Sequence, residues 1–231
     1  MCPDAPTSRA RIFYIERNLM SVEFPVTDDD PAVVEFKKFQ ETAGCNVQGW
    51  MRHLESAILM RCFQCLPDGG RVLIVGLYTG AQICLAKLVR PDLDCIGADN
   101  FSNTTSWINE GVRLEDQCWQ NLRNAGIADN ITIINEDSQT LGPRWDKYVD
   151  FCLIDADHDE VPAYNDLHNF AKWVNVGGYL AVDDMNSDSQ VRKSYARWID
   201  EDAAAGRAWE VVVRWPDEDR VNKCWLLRRT A

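Results

Sequence analysis

The sequence predicts an α/β fold: a mostly parallel, seven-stranded sheet with helices on both faces, closed by an antiparallel hairpin. Three observations lead there. Short apolar runs alternate with amphipathic stretches of helical period from about residue 71 onward. The connections between the first five runs are long enough to carry the chain back for a parallel partner. The last two runs are joined by a short polar turn, 216–220, too short for a parallel crossover.

The elements follow in order. Asp30-Pro31 reads as a helix cap followed by proline at the first helical position, opening a helix to about Thr42. A second helix covers about 48–66, with Trp50, Leu54, Ala57, Ile58, Cys62 and Cys65 at helical spacing, and Pro67-Asp68-Gly69-Gly70 stops it. Strand 71–75 leads into helix 80–89 (Ala81, Cys84, Leu85, Leu88), and strand 94–98 into helix 105–124, which ends at Asn124-Ala125-Gly126. Strands 131–134 and 149–154 follow. Helix 160–174 carries Val161, Tyr164, Leu167, Ala171 and Val174 on one side, Gly177-Gly178 breaks the chain, and 179–182 is the fifth strand. Helix 188–203 presents Val191, Ser194, Tyr195, Trp198 and Ile199, with Trp198 assigned to the core. Strands 209–214 and 223–227 form the hairpin.

Composition narrows the function. Of the 231 residues 46% are apolar and 26% charged, as in an ordinary folded domain, and no internal repeat is present. Lys and Arg number 24 against 36 Asp and Glu, a net charge of −12 that argues against duplex nucleic acid, whose affinity comes from cations meeting phosphates. No apolar run approaches the roughly 18–20 residues of a membrane span, and the first residues lack a signal peptide's apolar core. Nine cysteines, with one close pair at Cys62 and Cys65, give no zinc-site spacing. They are expected to be reduced core thiols of a cytoplasmic protein.

In sheets of this kind ligands bind beyond the carboxyl ends of the strands, where strand order reverses. The first strand is followed by Gly76-Leu77-Tyr78-Thr79-Gly80, a turn that lets backbone approach a ligand before a helix N-terminus. Its spacing is neither the dinucleotide fingerprint nor a P-loop. The second strand ends at Asp99-Asn100, 23 residues beyond Gly76, where a carboxylate can accept both hydroxyls of a ribose. The third ends at Glu136-Asp137-Ser138, able to meet an adenine edge. The fourth ends at Asp155-Ala156-Asp157-His158 and the fifth at Asp183-Asp184. Acidic residues thus recur after four of five strands, a registration that scattered solvated acids would not produce.

With these stretches the sequence resembles the class I S-adenosylmethionine-dependent methyltransferases, a Rossmann-like sandwich fold, in their small-molecule O-methyltransferase branch. The likeness runs from about Gly49 to Asp202 and rests on Gly49-Trp50-Met51 with Glu55, and on residues 73–80, 96–100, 136–138, 151–158 and 177–185. It implies S-adenosylmethionine at Gly76, Tyr78, Thr79, Gly80, Asp99, Asn100, Asp137, Ser138 and Asp155. It also implies that the fourth and fifth strands are neighbours, so that Asp155, Asp183 and Asp184 converge. Three such carboxylates repel unless neutralised, and Mg²⁺ or another hard divalent cation suits them. Such a cation would bind the acceptor hydroxyl, with Asp155 and His158 as the catalytic pair and His158 as general base. One departure stands out: the family's acidic residue two positions before the first glycine is Ile74 here.

The resemblance divides the chain into an N-terminal helical segment, 1–47, expected to act as a lid or a homodimer contact, and a methyltransferase domain, 48–231. The expected acceptor is a small hydroxylated metabolite, with no nucleic acid or membrane as partner. The competing reading is a methyltransferase-like fold that binds a ligand or partner without turnover. Trp50, Tyr78 and Trp107 are candidate pocket walls, while His53 and His168 read as helix-surface residues.

Overall fold

The structure, a computed structural model, describes residues 29–43, 53–102, 112–186, 188–213 and 224–231. Trp50, Trp107, Gly49-Trp50-Met51, the turn 216–220 and most of segment 1–47 lie outside the described residues.

Helices α1 (Pro31–Ala43) and α2 (His53–Cys65) precede β1 (Arg71–Val75), α3 (Ala81–Val89) and β2 (Asp94–Asp99). Helix α4 (Leu114–Asn124), β3 (Ile131–Asn135), a short helix α5 (Ser138–Leu141) and β4 (Val149–Ile154) follow. Helix α6 (Glu160–Phe170), β5 (Val174–Val182), α7 (Gln190–Ala204), β6 (Trp209–Val213) and β7 (Trp225–Arg229) complete the chain. The seven strands form one sheet in the order β3-β2-β1-β4-β5-β7-β6. β1 to β5 are mutually parallel, and β7 runs antiparallel to both β5 and β6. The predicted architecture is therefore the observed one, and strand order reverses between β1 and β4.

Each face of the sheet carries its own core. On one, Leu54, Ile58 and Phe63 of α2 pack with Ile83 of α3 over Val72, Ile74, Phe151 and Leu226. On the other, Leu167 and Phe170 of α6 and Trp198 of α7 cover Leu73, Val75, Leu180 and Leu227. Trp198 is 1% exposed, as the helical spacing predicts. Burying an aromatic side chain of this size is worth roughly 2–3 kcal/mol. The seven described cysteines are all free thiols, six of them buried. Burial pushes Cys95 and Cys118 up to about 12, so they act as small hydrophobes.

Two expectations are corrected. The helix after β4 stops at Phe170, a 3-10 turn covers Ala171–Trp173, and β5 begins at Val174 and runs through the glycine pair. Val174 pairs with Val149 across a register shift, and a Cβ on Gly178 would lie 2.8 Å from the Asp150 carbonyl, so the glycine allows close approach rather than a break. Because Val174 belongs to the strand, the buried stripe of α6 is Ala163, Asp166, Leu167 and Phe170, while Val161 is 67% exposed.

Candidate active site

The strand tips are held in register by ladder bonds that continue past the strands. Gly76 N–H donates to Ala98 O (2.9 Å), Asp155 N–H to Val75 O (2.9 Å), Glu136 N–H to Asp99 O (3.0 Å) and Asp183 N–H to Ile154 O (3.1 Å). Gly76 sits at φ 90°, and a Cβ there would fall 1.8 Å from the Asp155 carbonyl oxygen. The glycine is what lets the β1 and β4 tips touch. The contact borders the point where strand order reverses.

A cavity of about 640 Å³ opens above these tips. Of the residues singled out in the sequence, Gly76, Tyr78, Asp99, Asn100, Asp137, Ser138, Asp155, His158 and Asp184 line it. Thr79, Gly80 and Asp183 do not. Thr79 is 3% exposed. Gly80, at φ 86°, ends the turn where helix α4 packs closely, since a Cβ there would lie 3.1 Å from Cys118 Sγ. Ser102, Gln139 and Asp157 also line the cavity. Gln139 follows the predicted tip inside α5, too short a helix to leave a periodic signal.

Asp99 is a clasp as well as a cavity wall. Its Oδ2 accepts from Tyr78 N–H (2.7 Å) and its Oδ1 from Phe101 N–H (2.6 Å). Both donors are non-glycine residues in the left-handed region, Tyr78 at φ 48° and Phe101 at φ 52°. One carboxylate thus offsets the strain of two turns, each of order 1–3 kcal/mol. Each oxygen retains a second lone pair for a ligand hydroxyl. Asp137 braces the neighbouring wall: Oδ1 caps α5 at Gln139 N–H (2.8 Å) and Oδ2 accepts from Asn100 Nδ2 (2.8 Å).

Asp155, His158 and Asp184 converge, offering ligand atoms that all lie within 4.8 Å of one another. His158 Nε2 lies 2.9 Å from Asp184 Oδ2 and 4.0 Å from Asp155 Oδ1. The Asp184 hydrogen bond holds the imidazole above its usual pKa. Asp184 is the third non-glycine residue with positive φ among the described residues, at 54°. Asp183 turns inward: it is 6% exposed and its Oδ1 has no hydrogen-bond partner. Burial, then the charge of Asp184, pushes its carboxyl up to about 7. Burial and the charges of Asp183, Asp184 and Glu55 raise Asp155 as well. Glu55 on α2 is 1% exposed. Ile74 is fully buried in the same core cluster as α2. His53 and His168 are exposed on their helices.

Residues 73–185 match the family of methyltransferase domains. No curated protein sequence matches the chain. Among solved structures, cofactor-bound Rv0187 from MTB is similar with a TM-score of 0.59 at 15% identity, covering 98% of this chain and 99% of that one. The O-methyltransferase TomG from Streptomyces achromogenes, solved with SAM, gives 0.55 at 13% identity over 98% and 100% of the two chains. An rRNA methylase from Streptococcus thermophilus gives 0.52 at 12% identity over 80% and 100%. At such identities these likenesses speak for the fold, which serves acceptors of very different size. Residues 73–185, which hold the tips of the first five strands, are thus similar to a methyltransferase domain, and the sheet that carries them has the fold of those neighbours.

Proposed function

We propose that the chain transfers a methyl group from S-adenosylmethionine to a hydroxyl of a small, non-phosphorylated metabolite, with a divalent cation at the acceptor end of the cavity. The observation that carries this reading is the charge of the wall: five carboxylates (Asp99, Asp137, Asp155, Asp157, Asp184) and, among the described residues, no lysine or arginine. A sulfonium donor carries net positive charge and suits such a wall, whereas a dinucleotide or an RNA acceptor brings phosphates that it repels. The volume is that of a small-molecule site.

In this reading Asp99 receives the ribose hydroxyls, Asn100, Asp137 and Ser138 face the base, and the Gly76–Tyr78 turn receives the amino-acid end. Glu55, buried within electrostatic reach of Asp155 and on the same side of the sheet as Ile74, supplies the acid that position 74 lacks. The donor set fits a cation too: Asp155 and Asp184 converge at the cavity wall, with the buried, unpartnered Oδ1 of Asp183 behind them. Asp155 and Asp184 would hold the cation, whose chemistry there is to lower the pKa of the acceptor hydroxyl and stabilise the oxyanion, while Asp183, turned into the core, would add only its nearby charge. The bond from Nε2 to Asp184 fixes the ring of His158 and leaves Nδ1 to accept the hydroxyl proton. The acceptor oxygen bonds the methyl carbon as that carbon's bond to the sulfonium breaks, leaving the thioether S-adenosylhomocysteine, and the hydroxyl proton passes to that nitrogen. Segment 1–47 would complete the acceptor side as a lid or a dimer contact.

Methyl transfer to a panel of aromatic diols and hydroxylated sugars, with and without chelator, tests the reading. Turnover that chelator removes and Mg²⁺ or Mn²⁺ restores is expected. Donor binding with no turnover on any acceptor would favour the non-catalytic alternative, and full activity in chelator would reject the cation. Because only neutral imidazole accepts a proton, turnover should climb with pH as His158 loses its proton. His158→Gln should lower the plateau by roughly 10²–10⁴-fold and flatten that limb; an unchanged profile would remove the base role.

A further inference from the structure

Asp166 is a carboxylate that neither the strand tips nor the proposed chemistry uses. It lies on the buried face of α6 and is 0% exposed. Its Oδ1 accepts from Gln139 Nε2 at 2.8 Å. Its Oδ2 is buried with no partner. Gln139 is held from every side, its Nε2 also reaching Ser138 Oγ (3.3 Å) and Pro162 O (3.2 Å), and its Oε1 accepting from Asn165 Nδ2 (2.8 Å).

Ser138 and Gln139 are cavity wall, and Asp166 stands directly behind them. A leucine or valine would suit this place better if packing were the purpose, because an ionised carboxylate with one unpartnered oxygen costs stability in a dry site. Burial pushes the group up to about 7, which measures that cost. A costly group whose hydrogen bond runs to the wall of a ligand cavity is there for the wall.

We infer that Asp166 is a positioning residue for the donor. Through Gln139 and Ser138 it fixes the wall that receives the donor's base. It touches no reacting atom, so its effect falls on donor affinity and not on the chemical step. The inference rests on the donor reading given under Proposed function.

The test is calorimetric titration of the full-length protein with S-adenosylhomocysteine, paired with steady-state kinetics. Asp166→Ala should weaken donor binding roughly ten- to hundredfold, as loss of an orienting partner behind a ligand does, with turnover at saturating donor within about twofold. Asp166→Asn, whose amide oxygen still accepts from Gln139, should restore most of the affinity. Gln139→Ala severs the same link from the half-exposed side and keeps the test open if Asp166→Ala fails to fold. Wild-type affinity in both alanine variants would overturn the inference while leaving the donor reading intact. So would a loss confined to turnover, or an Asn variant as weak as the Ala variant. A wild-type protein that binds no donor would remove the donor reading and this inference together.

Discussion

Gly76→Ala is expected to cost about 4 kcal/mol or more of folding stability and to abolish donor binding. The reason is steric and local. A Cβ at position 76 would lie 1.8 Å from the Asp155 carbonyl oxygen, 2.4 Å from its carbonyl carbon and 2.9 Å from Ala156 Cα, all backbone atoms of the neighbouring strand tip. No rotamer change relieves backbone against backbone, so β1 and β4 must part where the cavity floor forms, a change in the range that marks exceptional substitutions. Gly126 provides the control. It too has positive φ, 71°, but a Cβ there would meet nothing within 4 Å. Gly126→Ala should therefore cost only the strain of a left-handed alanine, about 1–2 kcal/mol. Denaturant melts of both variants check this, and equal losses would show that the close approach of the two tips is not what position 76 is for.

Asp166→Asn should be more stable than wild type at pH 8 by roughly 1–3 kcal/mol, and the gain should vanish toward pH 4. The folded-state pKa of Asp166 is raised from 3.8 to about 7. The folded chain therefore holds a proton that the unfolded chain has already lost. Stability falls as pH rises from the unfolded value to the folded one and is level above it. A shift of that size corresponds to about 4 kcal/mol at most, from which the cost of the new, unpartnered amide nitrogen is subtracted. The acids whose charges bear on Asp166 are Asp137 beside α5 and Asp157 after β4, and both remain in the variant. Melts across pH 4–8 read the difference directly. A constant offset would mean that the group titrates normally.

Much of the fold was legible because it is written in alternation. Apolar runs of four to six residues between helical stripes imply a parallel sheet whatever the details, and the short polar link before the last strand leaves only a hairpin. The boundary at Val174 was not legible, since a valine extends a helical stripe and starts a strand equally well. The rim itself was legible, because an acid just past each of several strands is a one-residue pattern. The third dimension was not. Asp183 and Asp184 are adjacent in sequence, yet one turns into the core and the other, in a left-handed conformation, faces His158. Nor does a sequence reveal that Asp99 holds two strained amides. Asp166 left a faint trace, an acid one residue before Leu167 on an otherwise apolar helix face.

In the function proposed above, the register of the β1, β2 and β4 tips makes a seat for an adenosyl donor, with Asp99 at its ribose. Titrating the protein with S-adenosylhomocysteine tests it most directly, alongside Asp99→Asn as the matched variant. The expected result is one molecule bound per chain, weakened roughly tenfold or more in the variant, as expected when hydrogen bonds to a charged acceptor are lost. No heat for the wild type, or equal affinity in both proteins, would contradict the account.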